Sequence, residues 1–244
     1  MSVAERRARL ARRHRLASDQ RAAHVVDAAR SLVCLHATDP ATVYLSAWAR
    51  VDDLKIRDVE DALYVDRSLV KHLAMRRTLF VFPRETLAFA QAGASSRVAV
   101  AQRRRLALDV EAAGLQADGT RWLAKVSKRV LTALADGREV TAKELRSEIP
   151  LLEGAIEYGE GKSWAGKASI GPRVLTVLSA SGDVVRASND GGWWVSRPRW
   201  ASMEAWLGER LAPVSEAEGV AHLVCGWLRA FGPGTEADIK WWLG

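Results

Sequence analysis

Residues 32–50, LVCLHATDPATVYLSAWAR, constrain this chain most, because Asp39-Pro40 interrupts an otherwise continuous apolar run. Proline pushes the residue before it out of the right-handed helical region, so a helix entering this stretch ends by Thr38. Val25, Ala29, Leu32, Val33 and His36 recur at helical spacing before the break. After it, Asp39 can cap a new helix with Pro40 at its first position, and Val43, Tyr44, Ala47 and Trp48 give that helix a buried face. The expected structure is a helix over 20–38, a sharp corner and a helix over 40–49. Such a corner presents His36 and Thr38, two polar side chains one residue apart, between packed helices.

The stretch H-A-T-D-P-A-T-V-Y-L-S-A-W-A-R resembles the winged-helix DNA-binding proteins that include the AlkZ/YcaQ-type DNA glycosylases. That family carries Gln-x-Gln, Gln-x-Asp or His-x-Gln at this corner. The resemblance implies that the pair positions the water that attacks the deoxyribose carbon. Here the aligned residues are His36 and Thr38: the histidine matches one family variant, and the threonine departs from the Gln or Asp of the others. The implied leaving group, a cationic N7- or N3-alkylpurine, sits on an already weak bond, so a positioned polar pair can suffice without a strong base. Thr38 cannot act as a base, and weak or absent excision is the expectation that follows.

The residues alone leave a second reading of His36, a helix-terminal histidine hydrogen-bonded in the core. Thr38 could likewise bond the backbone at the helix end.

Composition bounds the alternatives. The chain has 244 residues, 48% of them apolar, enough to pack one large domain or two to three small ones. Its formal charge is +7 and its pI near 9.8, which points to nucleic acid or another anionic surface, with an arginine-rich composition as the plainer explanation. Cys34 and Cys225, the only two cysteines, lie in apolar helical runs and read as buried free thiols, so neither a metal site nor a disulfide framework is expected, and no cofactor. The N-terminus lacks the apolar core of a signal peptide and no run is long enough to span a membrane, so cytoplasmic residence is expected.

Residues 5–15, ERRARLARRHR, hold six arginines and one glutamate and read either as a phosphate-contacting arm or as a solvated first helix. Short helices are expected at 58–65, burying Val59, Ala62 and Leu63, and at 67–75, burying Leu69, Val70 and Leu73. The second would be the groove reader, and the alternating RRTLFVF at 76–82 the start of a wing strand. Between Arg67 and Arg84 there are five basic residues and no acidic one, the best local signal for DNA contact. Residues 84–113 read as a helix with Val98, Ala101, Leu106 and Val110 on its apolar side, and Gly114–Gly119 as a linker.

A second array starts at Thr120. Trp122, Val126, Val130 and Leu134 form a helical stripe, and Thr141 and Glu144 form a capping box ahead of Leu145 and Ile149. Gly171-Pro172 opens a third helix. Residues 184–188 and 193–196 around Asn-Asp-Gly-Gly read as a β-hairpin. The start of this array recurs at 227–243, where Thr235 takes the place of Thr141.

The expected architecture is therefore mainly α with small β wings, in tandem winged-helix (helix-turn-helix) domains. A basic helix and first winged helix occupy 1–114, a second winged helix 120–200, and a linker helix with an incomplete third start 201–244. Without a complete third unit, Trp227, Trp241 and Trp242 would stay uncovered, to self-associate or to fray. In the resembling family, the rest of that unit supplies a DNA-wedging hairpin.

Of the ten tryptophans, Trp48, Trp122, Trp206 and Trp227 fall on apolar stripes and read as core. Trp193 and Trp194 are adjacent on the expected wing strand, where one faces out, to pack on a neighbouring element or to press on a sugar or base. The glycine-rich 159–167 lacks the spacing of a phosphate-binding loop. The function expected is that of a double-stranded-DNA-binding protein resembling glycosylases of alkylated bases, a monofunctional N-glycosidic hydrolase if it is an enzyme. His36 and Thr38 would be its catalytic pair, and Arg67, Lys71, Arg76, Arg77, Arg173 and Arg186 would contact DNA. The alternative is a non-enzymatic winged-helix regulator or partner-binding module.

Overall fold

The corner is built from a strand and a helix rather than from two helices. The computed structural model of the protein describes residues 1–158, 161–163 and 165–244. A capping box between Ser2 and Glu5 starts α1 (Val3–Arg13), and α2 (Val25–Ser31) ends well short of Thr38. Val33 turns the chain with a left-handed φ of 72°, and Leu35–His36 forms β1. From there Leu35 and Ala37 are buried while His36 and Thr38 are exposed. That period of two is the signature of a strand; the helical spacing of the same apolar residues lost to pairing with a neighbouring strand.

Beyond the corner, Asp39 caps α3 (Pro40–Trp48) as expected, its carboxylate accepting the Ala41 N–H at 2.9 Å. Val43, Tyr44 and Ala47 are buried, but Trp48, at the end of the helix, is 66% exposed and not core. Next, α4 (Ile56–Glu60) runs on through a wider turn at Asp61–Val65 and buries Val59, Ala62 and Leu63.

The segment expected as a reader helix at 67–75 is a strand, β2 (Leu69–Ala74), paired antiparallel to β3 (Thr78–Pro83). Its run of Leu69, Val70, His72, Leu73 and Ala74 is buried on both faces. A short continuous apolar run cannot be assigned to helix or strand by periodicity alone. The tip of this hairpin holds Arg76 and Arg77, both at positive φ.

The chain continues with α5 (Leu87–Ala90), a wider turn at Gln91–Ser95 and α6 (Ser96–Ala112), on which Ala101 is exposed rather than packed. The second array comprises α7 (Gly119–Ala133), β4 (Val140–Thr141), α8 (Ala142–Glu148), the hairpin β5 (Ala155–Tyr158) and β6 (Gly166–Ser169), α9 (Ile170–Ala180), β7 (Val184–Asn189) and β8 (Pro198–Ser202). Trp122, Val126, Val130, Leu134, Leu145 and Ile149 fill its core as their spacing predicts. The return strand of the last hairpin is 198–202, not 193–196. Asn189 closes the intervening loop, donating to the Val195 carbonyl and accepting the Arg197 N–H. Of the glycine-rich 159–167, Gly159, Glu160 and Trp164 lie outside the described residues.

The chain ends in α10 (Met203–Leu207), α11 (Glu216–Phe231) and α12 (Glu236–Leu243), the last two opened by capping boxes at Ser215 and Thr235. Trp227 is buried, so the expectation that it stays in water is corrected, whereas Trp241 is 68% exposed. Cys34 is buried as expected, but Cys225 is exposed.

The protein is thus mostly helical with small antiparallel sheets. The first three-stranded sheet has the order β1-β3-β2 and the second β4-β8-β7. In chain order the first array reads helix, strand, helix, helix, strand, hairpin tip, strand, and the second follows the same order with the β5–β6 hairpin inserted before its third helix. Two compact units result, one of residues 1–95, 188–197 and 211–244 and one of 96–187 and 198–210. The residue 114 boundary read from sequence thus falls inside the second unit. No described helix is long and apolar enough to cross a membrane.

In the first unit the α5 segment and α11 meet backbone to backbone. A Cβ on Gly93 would stand 2.5 Å from the Gly219 carbonyl carbon, and one on Gly219 2.4 Å from the Gly93 nitrogen. Alanine at either position must push two backbones apart, so each variant should lose about 1–3 kcal/mol in urea unfolding. Stabilities unchanged in both variants would show that this contact gives way freely.

Candidate functional site

His36 and Thr38 are both exposed, His36 on β1 and Thr38 just beyond it. Leu35 pairs with Val81 and His36 with Phe80, and the Ala37 N–H donates to the Leu79 carbonyl at 2.9 Å. Residues two apart along the chain stand within about 7 Å at Cα, so one water can reach both exposed side chains. The imidazole can accept a proton or orient a water, and the threonine hydroxyl can donate to it and accept from it. This replaces the expected helix-end geometry and disposes of the core-histidine reading, since His36 is exposed.

Opposite residues in the antiparallel ladder share a face, which places His36, Phe80 and His72 in one row. The Phe80 ring meets His36 edge-on at 5.8 Å. At the far end of the row His72 is fully buried, and burial holds its imidazole neutral, from an ordinary 6.5 down to about 4, with Gln91 facing it.

A second cluster borders α3. Lys71 donates to the Tyr64 hydroxyl at 2.6 Å and lies 5.0 Å from the centre of its ring. Burial, with Glu60 nearby, pushes the Tyr44 phenol up to about 12 and Tyr64 up as well, so both remain neutral hydrogen-bonding groups. Trp193 packs on Tyr44 at 5.4 Å and on Trp194 at 5.7 Å, and Trp194 is 62% exposed. Both tryptophans lie in the loop before β8, not on a strand as read from sequence. The grouping of Tyr44, Tyr64 and Lys71 was missed in the sequence. Reading SLVKHLA as alternating would have put Lys71 and His72 on opposite faces and exposed it.

The expected DNA-contacting cations fare differently. Arg76 and Arg77 project from the hairpin tip, the Arg76 guanidinium lying 4.2 Å from the Trp241 ring. Arg67 is half-buried at a left-handed turn before β2. In the second unit Arg173 is salt-bridged to Asp109 at 2.5 Å, which compensates its charge. Arg186 lies 5.3 Å from the Trp200 ring, and burial lowers its pKa. These two are committed within the second unit. No cluster of metal-ligating side chains exists among the described residues.

The first unit thus sets an exposed polar pair on an edge strand and a basic hairpin tip in a mostly helical frame. The family model described as DNA glycosylase AlkZ-like matches residues 29–244, and the chain belongs to that family. The solved structure of the Streptomyces sahachiroi DNA glycosylase AlkZ is similar in fold, with a TM-score of 0.70 at 19% identity. That match covers 100% of this chain, which spans 62% of the AlkZ chain. No curated protein matches.

The His72 environment has a measurable consequence. Its folded-state pKa lies below the unfolded value, so the unfolded chain binds the proton first as pH falls. The stability it contributes is complete above about pH 6.5 and is lost towards pH 4, by about 3 kcal/mol. His72→Phe should flatten that part of the pH–stability curve in chemical unfolding. An imidazole signal from His72 titrating near 6.5 by NMR would contradict the assignment.

Proposed function

We propose that the chain is a DNA glycosylase acting on alkylated bases in duplex DNA, with its attacking water held between His36 and Thr38. The observation that carries this reading is the exposure of both side chains at the end of β1, with Leu35 and Ala37 buried before and between them. Membership of the glycosylase family supplies the reaction class. Hydrolysis moves the water oxygen onto the sugar carbon as the bond to the base breaks. The base leaves with the bonding electrons, which neutralise the positive charge of an alkylated purine. The water's proton passes to the imidazole or to solvent.

In this reading the two arrays are tandem winged helices, about residues 1–114 and 120–200, with 201–244 as the start of a third. Their shared strand order supports it. The third helix of the first array becomes 56–65 instead of 67–75, and β2 with β3 becomes its wing. Arg76, Arg77, Arg67 and Lys71 then serve the DNA backbone.

Release of base from an N7-alkylguanine duplex tests the chemistry. Excision is expected to be slow, because threonine offers one hydroxyl where glutamine offers a carbonyl and an amide. His36→Ala should lower it by about 10²- to 10⁴-fold, and Thr38→Gln should raise it. Robust release that survives His36→Ala would place the chemistry elsewhere.

A further inference from the structure

The first unit contains an arginine-lined recess of about 450 Å³ that the catalytic reading does not use. Arg12, Arg13 and Arg15 reach it from the end of α1 and the turn that follows, Arg30 from α2, and Arg229 from α11. None of its lining side chains is acidic. Arg30 is compensated by Asp27 and Glu85. The other bonds made here are to neutral groups, Arg13 to the Gly232 carbonyl at 2.6 Å and Arg15 to the Gln20 carbonyl at 3.2 Å. Arg12 and Arg229 are exposed and have no carboxylate partner among the described residues. Four guanidinium groups therefore face one recess with their charge uncompensated.

Like charges gathered round a concavity repel each other and destabilise the fold, a cost that an anion in the recess reverses. Guanidinium groups match phosphate oxygens with paired N–H donors, so the anion chemistry favoured is phosphate. The position of the recess narrows its source. Val33, which lines it, precedes His36 by three residues, so this wall of the recess and His36 lie within about 11 Å along the backbone. One strand of duplex DNA advances about 3.4 Å per nucleotide. Phosphates a few nucleotides from a base presented at His36 thus fall at the range of the recess.

We infer that this recess is a backbone-phosphate site that holds the DNA strand flanking the target nucleotide. The inference rests on the reading of the protein as one that acts on DNA, and adds residues that the acid-free stretch 67–84 does not contain. The sequence showed the arginines of α1, but not that Arg229 closes the recess from the other end of the chain.

The test uses the full chain and an unmodified duplex, so that it does not depend on base release. In fluorescence anisotropy across a salt series, Arg12→Ala/Arg229→Ala should reduce the slope of log affinity against log salt by about 1.8, two contacts at about 0.9 each. Arg12→Lys/Arg229→Lys keeps the charges and should retain the slope, which separates lost phosphate contacts from a damaged fold. His222 stands in the recess wall, stacked on Phe89 at 4.1 Å, so its ring resonances should shift when duplex is added. An unchanged slope in the alanine variant overturns the inference. So does a His222 response to inorganic phosphate alone with the slope unchanged, which would mark a site for free phosphate. A wild-type protein with no salt-sensitive DNA affinity would sink the functional reading itself, whereas one that binds DNA but releases no base leaves the recess intact.

Discussion

The pairing of residues 35–37 with β3 is the contact on which the rest depends. It comprises Leu35 opposite Val81, His36 opposite Phe80, and the Ala37 N–H on the Leu79 carbonyl. Because strand side chains alternate, a slip of one residue would turn every side chain to the other face. Leu35 and Ala37 would enter water, and His36 and Thr38 would be pressed into the core without partners, each at a cost of roughly 1–3 kcal/mol. The apolar residues between the polar pair thus select the register, and the register points the pair outward. The same strand delivers the chain to Asp39, whose cap fixes where α3 begins. Packing, helix start and site geometry follow from one short ladder.

Much of this was legible in the sequence, and the failures share a cause. Capping residues act locally, so Asp39, Thr141 and Thr235 marked true helix starts. The stripe from Trp122 to Leu134 was long enough for its period to decide, and all its members are buried. The errors fall on short apolar runs, 32–36 and 69–74, where helical and strand spacing fit the same residues and the decision rests with a partner strand far along the chain. Trp48 and Trp193 failed differently. Apolar character placed them in the core or on a strand, while a helix end and a loop held by Asn189 put them elsewhere. At the candidate site, His36 and Thr38 were legible as a pair through the family motif; their exposure was not, because it depends on the pairing of β1 with β3.

Net charge does not by itself mark which arginines of this protein are left uncompensated. The excess is +7, yet arginines do much of the structural bonding. Arg21 ties three carbonyls near the end of α3 as well as Asp52, Arg138 pairs with Glu148, and Arg173 with Asp109. Each of these has a carboxylate partner that compensates its charge, and so offers little to a phosphate. What distinguishes the α1–α11 recess is the sign of its balance, since Arg13 and Arg15 bond only neutral oxygens and Arg12 and Arg229 have no carboxylate partner among the described residues. Arg76 shows an intermediate case: a tryptophan face attracts its charge without cancelling it, and so can hold the guanidinium in place for an anion.

The two histidines on one face of the first sheet show how position divides labour between identical side chains. His72 lies on β2 beneath the helical segment that follows it, where burial removes its proton and leaves a neutral ring that fills space. His36 lies on β1, an edge strand two residues long, with solvent on its open side. Phe80 stands between them, apolar and rigid, and keeps the His36 ring on its edge without offering it a hydrogen bond. An imidazole so placed keeps its ring nitrogens for water or substrate. That arrangement suits a reaction whose leaving group is already activated. On the proposed glycosylase reading, holding one water against the sugar falls to a ring steadied by packing and a hydroxyl two residues away.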